Sequence, residues 1–257
     1  MSDRDLTDEE LLRYSRHILL DDIGIEGQAR IANAKVLVVG AGGLGCPAAL
    51  YMASAGVGTL YIADDDTVDL TNLQRQVLHT TARVGQPKVE SAQTHLGDLN
   101  PCCNVVPLAK RLEGDELDAL VAKVDLVMDC CDNFNTRHAV NRACVKHHKP
   151  LVSGAAIRLD GQLAVFELNN PDAPCYHCLF PDGDDVAEVR CATMCVFAPL
   201  TGVIGSLQAH EALKILAGFG KPLYSTLKIY DGRSCVFTDM KFHKDPDCPV
   251  GGKPQAH

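Results

Sequence analysis

The chain has 257 residues, 46% of them hydrophobic, enough to bury one substantial core, and no Pro/Gly/Ser-rich linker divides it. Its formal charge of −9 leaves no long basic stripe, which argues against extended binding to a nucleic-acid backbone, and no apolar run reaches membrane-spanning length. The first ten residues are polar and charged, unlike a secretory signal, so the twelve cysteines are expected to be buried, reactive or metal-binding thiols of a soluble cytoplasmic protein.

Thr7-Asp8-Glu9-Glu10 has the spacing of a capping box, and Leu11, Leu12, Ile18 and Leu19 then predict one amphipathic helix whose other face carries Arg13, Arg16 and His17. A short helix is expected over 27–33. Val36-Leu37-Val38-Val39 is a continuous apolar run of the kind found in a central parallel strand covered on both faces. It leads directly into Gly40-Ala-Gly42-Gly43-Leu-Gly45. Gly40, Gly42 and Gly45 supply G-x-G-x-x-G, which permits a tight turn, a close phosphate approach and close helix packing. The backbone N–H groups of such a loop, at the positive end of a helix, face an anion. A helix over 44–55 then stops at Gly56-Val57-Gly58, and a strand over 59–63 ends in Asp64-Asp65-Asp66, just under twenty residues beyond Gly45. At that spacing an acidic side chain meets a ribose hydroxyl pair, and Asp64 is the expected ligand, with Asp66 beside it.

The alternation continues with helices over 88–96, 115–121 and 136–147 and strands over 104–108, 125–128 and from Leu151. The expected fold class is therefore α/β, a doubly wound, Rossmann-like, mainly parallel sheet. From Gly161 the pattern changes. Segments 163–168, 226–230 and 235–242 look like strands without crossover helices, and are read as antiparallel additions to the sheet. Between them, 201–216 is a nearly all-round apolar helix, expected to be buried in part by a subunit interface. The whole is one domain over 1–257, with N-terminal helices to residue 34, a nucleotide-binding half over 35–160 and a C-terminal part over 161–257.

Parallel sheets place ligands beyond the C-terminal ends of their strands, where this chain has Asn72, Arg75 and Gln76, then Lys88, then Asp132 and Asn133. Arg75 and Lys88 are suited to neutralising phosphates and the charge that develops during phosphoryl or nucleotidyl transfer, and Asp132 to holding Mg²⁺ with few protein ligands. Together with the glycine loop they imply ATP. No G-x-x-x-x-G-K-[ST] is present, so a P-loop grip on the phosphates is excluded.

These motifs in this order, with Gly85-Gln-Pro-Lys88-Val and Pro150-Leu-Val-Ser-Gly-Ala155, resemble the ubiquitin-activating-type ThiF/MoeB/HesA family of adenylyltransferases, its molybdopterin branch first and its thiamin branch next. The resemblance runs from about Leu6 to Cys248. It implies a homodimer in which ATP adenylylates the C-terminal glycine of a ubiquitin-like sulfur carrier ending in Gly-Gly. By the same likeness Asp64 binds ribose, Asn72, Arg75 and Lys88 contact phosphates, Asp132 binds Mg²⁺, and Arg16 matches an arginine supplied to the other subunit's site. A carboxylate attacking the α-phosphorus is an anion meeting an anion, so cationic groups suffice and no side-chain nucleophile is needed.

Cys175-Tyr-His-Cys178 reads as half of a structural zinc site, and the family's other half is a second C-x-x-C near the C-terminus. Here that place reads Cys248-Pro-Val-Gly251, without the fourth thiolate. Zn²⁺ on Cys175, Cys178 and Cys248 plus a histidine or water is the expectation, with His243 and His257 as candidates, against a site that has lost its metal. Cys191 aligns with a cysteine that thiamin-branch members use as a thiol partner of the carrier, although molybdopterin-branch members carry a comparable one without needing it for adenylylation. Cys46, Cys130, Cys131 and Cys144 are expected to be buried structural thiols. Two other functions fit parts of the pattern: a dinucleotide-dependent oxidoreductase, which leaves Arg75, Lys88 and Asp132 unexplained, and a non-catalytic carrier-binding scaffold, which leaves the whole nucleotide set unexplained.

Overall fold

A computed structural model of the chain describes residues 4–182 and 195–251. The capping box forms: Glu10 N donates to Thr7 Oγ1 at 3.3 Å and Thr7 N to Glu10 Oε2 at 2.9 Å. The single N-terminal helix does not. It divides at Tyr14 into α1 (Asp8–Arg13) and α2 (Ser15–Ile18). Tyr14 is buried against Gly56, where a Cβ would collide with its ring, and its hydroxyl accepts from Asn100 Nδ2 at 2.8 Å. Burying that ring interrupts the helix, and Leu12 and Leu19 remain exposed rather than packed on this chain's core.

Helix α3 (Gly24–Asn33) leads to β1 (Lys35–Val39), α4 (Gly45–Ser54) and β2 (Thr59–Ala63). Then follow α5 (Lys88–Leu99), β3 (Asn104–Leu108), α6 (Gly114–Lys123), β4 (Leu126–Asp129), α7 (Phe134–His147) and β5 (Leu151–Ile157). The C-terminal part comprises β6 (Asp160–Phe166), the one-turn α8 (Tyr176–Leu179), the long α9 (Ala198–Ala217), β7 (Thr226–Asp231) and β8 (Val236–Lys241). Among the described residues, eight strands join one sheet in the order β3-β2-β1-β4-β5-β6-β7-β8. The pairs from β3 to β5 are parallel and those from β5 to β8 antiparallel, as the change of pattern at Gly161 predicts.

The apolar run of β1 serves both faces. Val36 and Val38 pack with α4, α5 and α9 on one side, while Leu37 and Val39 pack with α6 and α7 on the other. Helix α9 crosses the first face against α4, β5 and β6, so much of its apolar surface is covered within the chain. At the far edge β8 is exposed along its whole length. Among the described residues no helix is long and apolar enough to cross a membrane.

Candidate functional site

Strand β1 has β2 on one side and β4 on the other, so the chain reverses its order across the sheet at β1. A crevice opens at such a switch point, beyond the C-terminal ends of the strands. Here it is a cavity of about 580 Å³, lined among others by Gly40, Gly42, Gly43, Asp64, Asp66, Arg75, Gln76, Lys88, Asp132 and Asn133. Gly40 adopts φ 101°, and a Cβ there would meet the Cys130 carbonyl oxygen at 2.7 Å, so only glycine allows β1 to turn this close to β4. Gly45 does not line the cavity. A Cβ at Gly45 would collide with the Gly40 carbonyl, so the missing side chain lets α4 close on β1.

Asp64 braces the loop. Its Oδ2 accepts from Ala41 N at 2.7 Å and its Oδ1 from Asp66 N at 2.9 Å. Burial pushes this carboxyl above its ordinary range, against the pull of Lys88 and the two backbone donors. Lys88 is almost wholly buried, with its ammonium 2.7 Å from Asp66 Oδ2 and its backbone N–H bonded to Asp66 O. Asp66 therefore holds the lysine. Asn72 lies outside the cavity lining. Its Oδ1 accepts from Arg75 Nη2 at 2.9 Å and so helps to aim the arginine. Gln76 is buried in the wall, and among the described residues its Oε1 has no hydrogen-bond partner. Asp132 is exposed at the mouth, and Asn133 Oδ1 caps α7 by accepting from Thr136 N at 2.9 Å. Arg16 is exposed on α2 and does not reach the cavity of its own chain.

Several lining residues escape the sequence reading. Lys110 and Arg111 follow β3, where the same strand-end rule that identifies Lys88 and Asp132 applies, so they were within its reach. Phe134, Tyr176 and Phe180 form an apolar wall, and nothing local in the sequence assembles it. Arg137, buried at the base, donates to Asp129 Oδ2 (2.9 Å), Ser153 Oγ (3.1 Å), Cys131 O (2.6 Å) and Gly154 O (2.8 Å). It ties the strand ends of β4 and β5 to the loop that carries Asp132. His79, whose ionisation burial disfavours, sits 2.9 Å from Ala41 O and 3.0 Å from Ser91 Oγ, supporting the glycine loop from behind.

Away from the cavity mouth, Cys175 Sγ lies 3.9 Å from Cys178 Sγ and 3.7 Å from Cys248 Sγ. Zn–S bonds of about 2.3 Å in a tetrahedron require sulfurs about 3.8 Å apart, so the three cysteines fit zinc. A Cβ at Gly251 would stand 3.3 Å from Cys175 Sγ, and Gly251 N is 3.4 Å from Cys248 Sγ, which puts the missing side chain beside the cluster. Among the described residues no histidine or carboxylate joins these cysteines, so the expectation for His243 fails, and His257 lies outside the described residues. Cys191 also lies outside them. Cys46, Cys130, Cys131 and Cys144 are all buried, and burial pushes each thiol up, Cys46 to about 12. They are inert packing groups.

The model of the ThiF family matches residues 14–250. The molybdopterin-synthase adenylyltransferase of Escherichia coli K12 is 49% identical over 249 residues, covering 97% of this chain and 99% of its own length. The sulfur carrier protein ThiS adenylyltransferase of the same strain is 45% identical over 252 residues, covering 98% and 99%. The crystal structure of E. coli MccB with MccA-N7isoASN shares the fold, with a TM-score of 0.83 at 23% identity over 98% of this chain and 77% of that one.

Proposed function

The chain belongs to the ThiF family, and from that membership and its cavity we propose that it adenylylates the C-terminal glycine of a ubiquitin-like sulfur carrier, serving molybdopterin or thiamin synthesis. The observation that carries this reading is the convergence of Arg75, Lys88 and Asp132 on the glycine loop in one cavity. In the reaction a carboxylate oxygen of the carrier bonds to the α-phosphorus of ATP and the bond to the β-phosphate bridge breaks, giving acyl-adenylate and pyrophosphate.

The backbone N–H groups of 40–45 receive phosphate, Asp64 receives the ribose hydroxyls, and the Gln76 acceptor is free for a ligand N–H or O–H. Lys88 and Arg75 meet the charge that passes to the leaving pyrophosphate. Lys88 is held ready by Asp66, and Arg75 by Asn72, so neither has to be ordered during the reaction. Mg²⁺ fits Asp132, which offers one exposed carboxylate at the mouth, and when bound would add positive charge against the triphosphate. Arg16 completes the site of a second copy in a cytoplasmic homodimer, a reading supported by its exposure together with Leu12, Leu19 and Leu20 on the same N-terminal segment. Zinc on Cys175, Cys178 and Cys248, with water in the position that Gly251 leaves open, pins α8 to the C-terminal end of a single domain. Cys191 is a candidate thiol partner of the carrier. A dinucleotide-dependent oxidoreductase would have no use for these cations beside a magnesium carboxylate.

Incubation with ATP, Mg²⁺ and purified carriers ending in Gly-Gly should add one adenylate to the carrier, read by intact mass. In Asp132→Asn the addition and carrier-dependent pyrophosphate exchange should vanish in a normally folded protein. Arg75→Ala and Lys88→Ala should each lose at least tenfold in rate, the equivalent of about 1.4 kcal/mol of transition-state stabilisation. No adenylate on any such carrier, with NAD(H) bound instead, would overturn the reading.

A further inference from the structure

Behind the Tyr176 wall of the cavity, three side chains from separate places converge. His138 projects from α7, His177 from α8, and Asp182 stands three residues past the end of α8. His138 Nε2 is 3.0 Å from Asp182 Oδ1 and His177 Nδ1 is 3.6 Å from Asp182 Oδ2, with one donor atom of each residue within 4.8 Å of the others. The imidazole rings meet edge to face, with centroids 5.8 Å apart, and His138 is packed in the same manner on Tyr176 at 5.3 Å.

Both histidines are more than nine-tenths buried, at 5% and 8% exposure, and among the described residues the buried His177 Nδ1, the atom that faces Asp182, has no hydrogen-bond partner. A histidine–carboxylate hydrogen bond accounts for the His138–Asp182 pair. It does not account for His177, whose unpartnered nitrogen faces the second carboxylate oxygen at a distance too long for a hydrogen bond. Buried polar atoms are ordinarily satisfied, and a cation shared by His138 Nε2, His177 Nδ1 and the Asp182 carboxylate would satisfy the His177 nitrogen. Zn²⁺ bonds of about 2.0–2.1 Å in a tetrahedron place neighbouring ligand atoms about 3.3 Å apart, and the two measured separations bracket that value. We propose that His138, His177 and Asp182 form a site for a divalent transition cation of the zinc class, distinct from the three-cysteine site that shares the α8 turn.

Two imidazoles and one carboxylate select Zn²⁺, Co²⁺ or Cu²⁺ over Mg²⁺ or Ca²⁺, which take oxygen ligands. The half-exposed Asp182 leaves an entry path and a fourth position for water. Arg142 Nη1, 3.5 Å from Asp182 Oδ2 and itself half-exposed, is the competing cation, and it is free to turn into solvent when the metal enters. A bound ion would tie α7 to α8 and to Asp182, and so hold the wall formed by Phe134, Tyr176 and Phe180.

Co²⁺ titration of the chelator-stripped full-length protein tests this, because thiolate ligation gives an intense ligand-to-metal band in the near ultraviolet, whereas imidazole and carboxylate give only weak visible bands. Two equivalents are expected, one of each spectral type. Asp182→Asn, at a half-exposed position that should not disturb folding, and His138→Gln should each weaken the weak-band equivalent at least tenfold and leave the thiolate band intact. That surviving band also reports that the variant is folded. Replacing Cys175, Cys178 and Cys248 with serine should do the reverse. A wild-type protein that binds cobalt only through thiolate, or a second equivalent that survives both Asp182→Asn and His138→Gln, would overturn the proposal.

Discussion

Replacing Arg137 with methionine keeps most of the side chain's bulk and removes the charge from the base of the site. The guanidinium is almost completely buried beside Asp129, which is 1% exposed, and it also satisfies the carbonyls of Cys131 and Gly154. Without it, Asp129 keeps the Ser153 hydroxyl at 2.6 Å and the Cys131 N–H at 3.1 Å but has no counter-charge. Removing one partner of a buried ion pair costs about 3–5 kcal/mol, and at about 2–4 °C per kcal/mol in a domain of this size the melting temperature should fall by roughly 6–20 °C. Urea unfolding should show the midpoint falling with an unchanged slope. Asp129→Asn should be costly too, yet the double variant should be less destabilised than the sum, by about 1–3 kcal/mol, because each single change strands the other's charge. The pyrophosphate-exchange rate of Arg137→Met should also drop at temperatures where the protein stays folded, because the Asp132 loop loses the bond at Cys131 O. A stability loss below about 1 kcal/mol, or strict additivity of the two changes, would refute this account of the network.

Mixed dimers of Arg16→Ala and Asp132→Asn subunits, each inactive alone, should recover a substantial fraction of one wild-type site after subunit exchange, because one site of such a dimer carries neither defect; no recovery with heterodimers confirmed by mass excludes a shared site. Metal analysis of the Asp182→Asn protein should find about one zinc per chain, Cys175→Ser should lower thermal stability without changing ATP affinity, and Gly251→Cys should tighten zinc binding by placing a fourth sulfur beside Cys175; retention of zinc no tighter than wild type in Gly251→Cys would show that position 251 does not face the metal. The Arg4 guanidinium, 2.6 Å away, holds the Glu10 carboxyl down at about 2. Its folded value is depressed, so its contribution is complete above the unfolded value of about 4.3 and is lost as pH falls through about 2. Glu10→Gln should therefore cost about 1 kcal/mol at neutral pH and flatten the loss of stability between those two values, and parallel acid-unfolding curves for the two proteins would contradict this.

Some of this molecule was legible residue by residue. The four-residue apolar run of β1, the glycine loop and the acidic end of β2 declare a switch-point crevice because each is a short-range constraint: strand burial on both faces, a positive φ, and an acidic side chain at a fixed distance beyond the loop that it braces. The partners of those residues were not legible, since pairing depends on which segments the sheet brings together. Lys88 pairs with Asp66, Asn72 Oδ1 holds Arg75, and Gly45 lets α4 close on β1. Strand β5 runs on through Ser153, Gly154 and Ala155, which carry little strand preference, because β6 pairs with them and Gln208 of α9 fills the space above Gly154. The helix break at Tyr14 needs Gly56 and Asn100 in place, and the third cysteine reaches its two partners across about seventy residues of chain. Local periodicity and backbone stereochemistry act within a few residues and so can be read from the sequence; the satisfaction of buried charges and polar atoms is settled between distant segments, and only the packed sheet with its two helical layers decides it.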